Sequence, residues 1–509
     1  MNQLKVGVVL SYVTIVLQIV IALTYTPYML RMLGQSEYGL YSLAASVVAY
    51  LTVLDLGFGN AVIRYTAKFR AEGRTREQEE MFGMFFLIYV CIGIITLIGG
   101  GILTLNVENL FDRAMTPDEV DKTRIMMWLL VANLAFTFPM SVWGSVINAY
   151  ERFIFLKTIS VVRSVVNPLA IVVLLAMGYK AIALVVVTTV FNVITLLINW
   201  WYCRRKLCVR LRFARFNWDF LKEVSLFSFW IFLVVIMDKV YWNTGQFVLG
   251  MLRGTIAVAI YALAIQLQNM FITFSAAIST VILPRVTSMV AKGSSESDIS
   301  DMFIKVGRLQ FIVVSLIISG FIVFGQDFIN IWAGRDYSKA YIICLIFFIP
   351  MMIDLIQNTG LVILQARNNM RFRGLLCIIL GLGCFALSFP LALWWGETGC
   401  AIAVAIALVA GQGIAMNIYY YSRQAIDIPH FWAEIAKMSI VPIAFTFLSM
   451  LLIRHFGVEM TSFAALACGI LIYIMLYLPA FWVFSMNDYE HQLFLRPIKN
   501  FINKRSLKR

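Results

Sequence analysis

Long apolar runs separated by short polar connections recur along the chain from Val6 to Phe484. An α-helix needs about 20 predominantly apolar residues to cross the hydrocarbon core of a bilayer. The runs are continuous and do not alternate over segments of about ten residues, so strands are not predicted. We expect an all-α integral membrane protein of about fourteen transmembrane helices, near 7–30, 38–62, 81–105, 125–149, 156–177, 181–202, 224–249, 255–282, 303–325, 340–364, 374–395, 398–420, 435–453 and 461–484.

Composition excludes a set of soluble domains. Of the 509 residues, 61% are hydrophobic and 13% charged, whereas soluble chains have about 45–50% apolar and about 25% charged residues. The longest polar connections (63–80, 106–124, 203–223 and 283–302) are too short for a soluble catalytic domain. Any function must therefore lie within the helices or at their ends.

The chain is basic, with 41 Lys and Arg against 27 Asp and Glu, a net charge of +14. Most basic residues fall in alternate connections, such as Arg64–Arg76, Arg204–Lys222 and Arg285–Arg308. Because cytoplasmic loops are enriched in Lys and Arg, this pattern predicts that both termini are cytoplasmic. The surplus therefore reflects topology and attraction to anionic lipids, and nucleic acid is not an expected partner.

The chain resembles itself at an offset of about 220 residues. Met32-Leu33-Gly34 corresponds to Met251-Leu252-Arg253-Gly254, and Ala71-Glu72-Gly73 corresponds to Ala291-Lys292-Gly293. The offset pairs helices 1–6 with helices 7–12, as in transporters built from parallel repeats. We predict two six-helix lobes and a C-terminal part containing helices 13 and 14 with a basic tail, at 1–215, 216–430 and 431–509.

Two segments resemble a known family. Leu33–Tyr41 (LGQSEYGLY) and Leu54–Tyr65 (LDLGFGNAVIRY) are similar to the start and end of helix 2 in bacterial oligosaccharide flippases of the O-antigen type. These belong to the multidrug/oligosaccharidyl-lipid/polysaccharide exporter superfamily. The resemblance implies an inner-membrane flippase that moves undecaprenyl-diphosphate-linked oligosaccharide to the outer leaflet for surface polysaccharide assembly, by alternating access coupled to an ion.

Other functions stay open at this point. A multidrug cation antiporter of the same superfamily predicts twelve helices, whereas helices 13 and 14 favour the glycan branch. A peptidoglycan-precursor flippase shares the fourteen-helix layout. A membrane glycan polymerase or ligase predicts a large outer catalytic loop, but the largest outer connection here is 106–124. Polymerase or glycosyltransferase partners are compatible with the flippase.

Charged residues inside membrane spans are costly and are default candidates for function. A lipid-linked diphosphate requires cations, and Arg offers a two-pronged match to phosphate oxygens. Arg163 and Lys239, one in each half, are the diphosphate candidates, with Arg64 at the end of helix 2. Alternatively, Arg64 is a positive-inside anchor, and Lys239 pairs with an acid on a neighbouring helix.

Carboxylates within the spans are candidates for ion coupling. Asp55 precedes Gly57 and Gly59, which permit flexing or close packing of the helix. Asp354 lies one turn past Pro350, where a freed backbone carbonyl helps to bind a cation. Asp238 is adjacent to Lys239. The alternative for each is an interhelical salt bridge.

Amides and aromatic rings match sugar hydroxyls and sugar faces. Such residues also join helices and form interface belts. The glycan-lining candidates are Tyr25, Asn60, Trp242, Asn243 and Gln266.

Enzymatic and cofactor chemistry is not expected. The sequence has neither a GxxxxGK[ST] phosphate loop nor an HExxH or GxSxG motif. Its three histidines and eight cysteines form no CxxC pair and suggest neither a metal centre nor a disulfide framework.

Overall fold

The computed structural model describes residues 3–213, 218–367, 369–457, 460, 462–493 and 495. Helices make up almost all of these residues, and none of them is in a strand. The first eight helices are α1 (Gln3–Leu51), α2 (Phe58–Ala71), α3 (Thr75–Leu105), α4 (Val107–Phe111), α5 (Pro117–Ala149), α6 (Phe153–Ala176), α7 (Ala181–Arg205) and α8 (Trp218–Leu252).

The second half of the chain continues in the same way and also contains a 3-10 element and a π-helix. A 3-10 turn at Arg335–Tyr337 precedes α11, and a π-helix at Val409–Ala415 joins α13 to α14. The helices are α9 (Thr255–Ala291), α10 (Glu296–Trp332), α11 (Ala340–Ile356), α12 (Asn358–Ala366), α13 (Arg371–Leu408), α14 (Met416–Gln424), α15 (Ile428–Phe456) and α16 (Phe463–Phe484).

The all-α membrane fold is confirmed. Within the described residues, ten helical stretches are long and apolar enough to span a membrane, or eleven with the bent pair α11–α12. Two stretches are long enough for two predicted spans each: Leu17–Ala71 covers part of 7–30 and all of 38–62, and Arg371–Gln424 covers 374–395 and 398–420. The count of fourteen is compatible with these stretches and stays a prediction.

Two expected connections are reduced to single glycines. The sequence predicts a break between helices at 31–37, but α1 runs through it and leaves helical geometry only at Gly34 (φ 75°, ψ 172°). This backbone region is open essentially to glycine alone. Gly396 (φ 57°, ψ −129°) interrupts α13 in the same way, between predicted helices 11 and 12. A residue without Cβ therefore replaces a loop at both places.

The glycines matched by the internal repeat all have positive φ, with similar values within each pair. Gly34 and Gly254 have φ of 75° and 82°, and Gly73 and Gly293 have φ of 71° and 69°. L-residues rarely adopt positive φ, so agreement at both pairs is not a consequence of ordinary helix geometry. An internal repeat predicts similar φ at matched glycines, as found at these two pairs.

Contacts group the chain into two interleaved units. Unit 1 consists of Met1–Ile265 and Met370–Ala407, and unit 2 of Gln266–Asn369 and Leu408–Arg509. The lobes predicted at 1–215 and 216–430 stay a prediction, because a repeat concerns which helices correspond, whereas these units concern which helices touch.

Unit 1 is built around α5, which packs against α3 and α7. Small residues bring α3 and α5 together: a Cβ placed on Gly93 would lie 2.7 Å from the carbonyl oxygen of Ala135. Glycine at such contacts lets helix backbones approach closely in membranes. The opposite face of α3 exposes Ile95, Ile98 and Ile102, as expected of a lipid-facing surface.

Unit 2 is built around α10, which packs against α11, α15 and α16. Its interior is rich in aromatic rings. Phe303 lies edge-on to Phe431 with ring centroids 5.0 Å apart, and Tyr473 and Tyr477 stack at 5.7 Å. Helices α15 and α16, predicted as spans 13 and 14, thus contribute to this unit's core.

Candidate functional site

Arg163 lies in a polar cluster inside unit 1. It projects from α6, is partly buried, and its Nη1 donates to Oδ1 of Asn192 on α7 at 3.2 Å. Asn192 in turn donates from Nδ2 to Oδ1 of Asn133 at 2.9 Å and to Oγ1 of Thr137 at 2.8 Å, both on α5. Side chains of α5, α6 and α7 are therefore joined around the Arg163 guanidinium, and the hydrogen-bond partner that the structure describes for it is the neutral amide of Asn192.

A polar stripe on α5 extends from this cluster, and the sequence analysis did not identify it. Asn133, Thr137, Ser141 and Ser145 follow one another at four-residue intervals, which places them on one helix face. Asn133 and Thr137 bind Asn192, and Ser145 Oγ lies 3.2 Å from where a Cβ on Gly59 would be. The feature of the sequence that could have revealed this stripe is the four-residue spacing of polar residues within an apolar run.

Asp55 lies in a break between helices. After α1 the chain forms a 3-10 turn at Thr52–Asp55, and Leu56 and Gly57 adopt left-handed φ of 54° and 70° before α2 begins. Tyr89, which is fully buried on α3, donates its hydroxyl to Asp55 Oδ1 at 2.7 Å. The hydrogen bond that the structure describes for Asp55 is therefore with a phenol, and not with the Arg or Lys side chain of the alternative salt bridge.

The other predicted charges of unit 1 have separate environments. Lys239 is partly buried on α8, and no described carboxylate forms an ion pair with it. Its neighbour Asp238 is exposed. Arg64 is also exposed, with its guanidinium carbon 5.8 Å from the ring centroid of Tyr65. No described contact brings Arg64 or Lys239 to Arg163, so the three-cation site stays a prediction.

The predicted glycan-lining residues are dispersed over several helices. Tyr25 is partly buried on α1, Asn60 is exposed on α2, and Gln266 is partly buried on α9. Trp242 lies edge-on to Tyr241 at 4.9 Å, and Asn243 Nδ2 donates to the carbonyl of Lys239 at 2.9 Å. Their role in binding a glycan stays a prediction.

In unit 2, Asp354 lies just before a bend. It is partly buried near the end of α11, and α12 continues at 42° to α11. At the bend Gln357, which is 2% exposed, donates Nε2 to Asn417 Oδ1 at 2.7 Å, while its own Oε1 is buried without a hydrogen-bond partner in the described structure. A buried acceptor of this kind needs an ion, a water or a ligand group to satisfy it.

The π-helix lies beside this bend. Asn417 Nδ2 donates to the carbonyls of Gln412 and Gly413, each at 2.8 Å, and Trp432 Nε1 donates to Asn417 Oδ1 at 3.0 Å. π-helical turns interrupt α-helices mainly at functional positions. Sequence reasoning identified Asp354 but did not predict the π-helix, which has no simple composition signal.

An apolar groove of about 390 Å³ lies between α10, α11 and α15 of unit 2. Phe311, Ile318, Ile349 and Phe447 are among its lining residues. The groove also contains hydroxyl groups, but these already have partners in the protein. Thr446, Ser319 and Ser439 donate to carbonyls of their own helices, and Ser315 bonds to the hydroxyl of Tyr477 on α16. The groove therefore presents hydrocarbon to whatever enters it.

The segment Leu33–Tyr41 forms a network at one end of unit 1. Glu37 is 6% exposed and accepts from Lys122 Nζ at 2.9 Å and from the backbone of Ala181 at 3.2 Å. Next to it, Glu119 Oε1 accepts hydrogen bonds from Ser36 and, at 2.9 Å, from Thr255. These side chains connect the starts of α5, α7 and α9 to the break in α1, so this part of the motif has a structural role.

Among the described residues, no group of three or more His, Cys, Asp or Glu side chains is placed to hold a metal ion. The candidate features for binding substrate or coupling an ion are the Arg163 cluster, the helix breaks at Asp55 and Gln357, and the apolar groove.

Comparison with known proteins agrees with this description. A family model described as polysaccharide biosynthesis protein matches residues 4–290. The membrane protein EpsK of Bacillus subtilis (strain 168) is 21% identical over 412 residues, covering 79% of this chain and 80% of EpsK. A protein of Shigella flexneri named as an O-antigen transporter is 21% identical over 406 residues, covering 78% of this chain and 93% of that one.

Solved structures show the same fold. The lipid II flippase MurJ, in an inward closed conformation, superposes with a TM-score of 0.70 at 14% identity, over 97% of this chain and 99% of that one. An inward-facing multidrug resistance transporter of the MATE family and MOP superfamily gives 0.57 at 13% identity, over 80% and 94%. At these identities the likeness establishes the fold alone.

Proposed function

Because the chain belongs to the polysaccharide biosynthesis protein family, we propose that it is a flippase for undecaprenyl-diphosphate-linked oligosaccharide. It moves this lipid from the cytoplasmic to the outer leaflet of the bacterial inner membrane, for assembly of surface polysaccharide. The resemblance of Leu33–Tyr41 and Leu54–Tyr65 to oligosaccharide flippases is confirmed by the family match and by the fold shared with MOP-superfamily transporters.

The observation that carries the proposal is the environment of Arg163. A guanidinium inside a membrane protein requires compensation, because an isolated charge in a low-dielectric medium is strongly unfavourable. Its described partner is the neutral Asn192 amide. A diphosphate that enters between the helices supplies the missing negative charge and matches the two-pronged geometry of the guanidinium.

The apolar groove of unit 2 supports the lipid part of the substrate. A polyprenyl chain offers only hydrocarbon, and each buried CH₂ contributes about 0.8 kcal/mol. The groove offers hydrocarbon in return, since its hydroxyl groups are satisfied internally. A multidrug antiporter for cations does not account for both a cationic cluster and an apolar groove.

The helix breaks support alternating access. Asp55 ends a 3-10 turn and precedes two left-handed residues, and Asp354 precedes the bend at Gln357. Breaks within membrane helices provide both flexing points and ion sites. We propose that Asp55 and Asp354, with Asp238 as a further candidate, couple movement of the lobes to an ion, with both termini in the cytoplasm.

A deletion strain of the native host tests the proposed function. Surface polysaccharide and undecaprenyl-diphosphate-linked oligosaccharide are quantified together. Loss of surface glycan with accumulation of complete lipid-linked units, both reversed by the wild-type gene, is the expected result. Loss of glycan without accumulation would assign the protein to synthesis, and unchanged glycan with altered resistance to cationic drugs would assign it to the antiporters.

A further inference from the structure

The guanidinium of Arg163 has unused hydrogen-bonding capacity. Arginine carries five N–H donors, and among the described residues Arg163 uses one of them, toward Asn192 Oδ1. One turn further along α6, the side-chain oxygen of Asn167 is buried without a hydrogen-bond partner in the described structure. The polar interior around α6 is thus incompletely satisfied, which points to a bound polar group.

The orientation of the Asn192 amide is determined by its other neighbours. The hydroxyl of Thr137 donates its single hydrogen to the carbonyl of Asn133 at 2.7 Å, so its oxygen accepts from Asn192. The Asn133 Oδ1 atom is also an acceptor. Both contacts require the NH₂ group of Asn192, and its Oδ1 must therefore face Arg163.

This arrangement positions Arg163 without neutralising it. An aspartate at 192 would offer the guanidinium a carboxylate and form an ion pair, whereas asparagine offers one neutral acceptor. The hydrogen bonds from Asn192 to Thr137 and Asn133 also prevent the amide from turning its NH₂ group toward the guanidinium. The Asn192 side chain therefore holds Arg163 in place and leaves its charge available.

We propose that Asn192 is a positioning residue for diphosphate binding, which acts through Arg163 and keeps it uncompensated. The proposal rests on the proposed flippase function. It adds a residue to that site and a requirement that the residue be neutral, with an amide orientation set by Thr137.

The test is binding of undecaprenyl diphosphate to the full-length protein in lipid nanodiscs. Asn192→Asp is expected to weaken binding at least about tenfold, because the new carboxylate competes with the diphosphate for Arg163. The substitution also removes the NH₂ donor that Asn133 Oδ1 and Thr137 Oγ1 accept from, so the thermal unfolding temperature is measured alongside and affinity is compared between folded proteins. Arg163→Ala should weaken binding by at least as much.

The double variant separates positioning from general damage. If the Asn192 amide acts through Arg163, then Thr137→Val, which changes no charge, has no further effect on affinity in the Arg163→Ala background. Thr137→Val, which removes the acceptor that orients the amide, should weaken binding by about threefold. Thr137→Ser, which retains the hydroxyl, should bind like the wild type.

The binding measurements distinguish failure of the positioning role from failure of the proposed substrate. Wild-type affinity in Asn192→Asp, or a loss with Thr137→Val that persists in the Arg163→Ala background, would overturn the positioning role while leaving the flippase function intact. Failure of the wild-type protein to bind undecaprenyl diphosphate would overturn both the positioning role and the diphosphate substrate.

Discussion

Two arginines within long helices, Arg163 in unit 1 and Arg308 in unit 2, have opposite environments. Arg308 is 4% exposed on α10. Its Nε and Nη2 donate to the two carboxylate oxygens of Glu490 at 2.7 and 2.9 Å, and its Nη1 donates to Glu434 at 2.6 Å. Arg163 has a single described hydrogen bond, to a neutral amide.

The difference in partners separates a structural role for Arg308 from a binding role for Arg163. Glu490 follows α16 and is 1% exposed, and it also accepts from the backbone N–H of Asn487 at 3.0 Å. Arg308 therefore fastens the segment after α16 to α10 and α15, and its charge is fully compensated. Arg163 is held but not compensated.

The largest effect is expected from Arg308→Ala. Removal of one member of a buried ion pair leaves an uncompensated charge, here Glu490, at a cost of about 3–5 kcal/mol. We expect a large fall in the unfolding midpoint of the purified protein and in its amount in membranes. A variant with wild-type stability would show that the Arg308 cluster is not the fastening that its contacts indicate.

Arg163→Ala should reverse this pattern. Loss of one hydrogen bond to Asn192 changes stability by only about 1 kcal/mol. Loss of the cation should lower glycan export at least about tenfold, since charge-assisted bonds to phosphate contribute about 1.5–3 kcal/mol. Export is measured relative to folded protein in the membrane. Normal export per molecule would remove Arg163 from the substrate site.

Arg163→Lys should have a smaller effect on export. Lysine retains the positive charge but lacks the planar fork that matches two phosphate oxygens. We expect a reduction of about threefold, between the wild type and Arg163→Ala, because binding of the anion survives in part. If lysine were as deleterious as alanine, geometry rather than charge would dominate at this position.

The smallest effect is expected from Lys437→Ala, which serves as a control within the Arg308 cluster. Lys437 Nζ lies 2.7 Å from Glu434, but its side chain is 71% exposed. Exposed ion pairs contribute about 0–1 kcal/mol, so the unfolding midpoint should shift little. A loss comparable to that of Arg308→Ala would mean that burial does not distinguish the two bases.

The sequence predicted the helical membrane fold well, because hydrophobic length is a local property of the chain. It also identified Arg163 and Gly57, which lies in the helix break after Asp55. It did not identify the residues around Arg163, because they lie on other helices. Asn192 is 29 residues from Arg163 in the chain, and Asn133 is 59 residues from Asn192.

Arg308 illustrates the limit most clearly. In the sequence it belongs to a basic stretch, Arg285–Arg308, that the positive-inside pattern places at a cytoplasmic connection. Its partners Glu434 and Glu490 follow 126 and 182 residues later. Tertiary packing alone brings them together, and no local pattern separates this arginine from a basic residue facing solvent or lipid headgroups.

The interleaving of the two units also has a consequence for biosynthesis. A ribosome delivers the chain from its N-terminus, and domains ordinarily fold as they emerge. Unit 1 needs Met370–Ala407, which is synthesised only after Gln266–Asn369 of unit 2. Neither unit can therefore be completed before the other has begun, and translation must pass Ala407 before the membrane holds a finished unit 1.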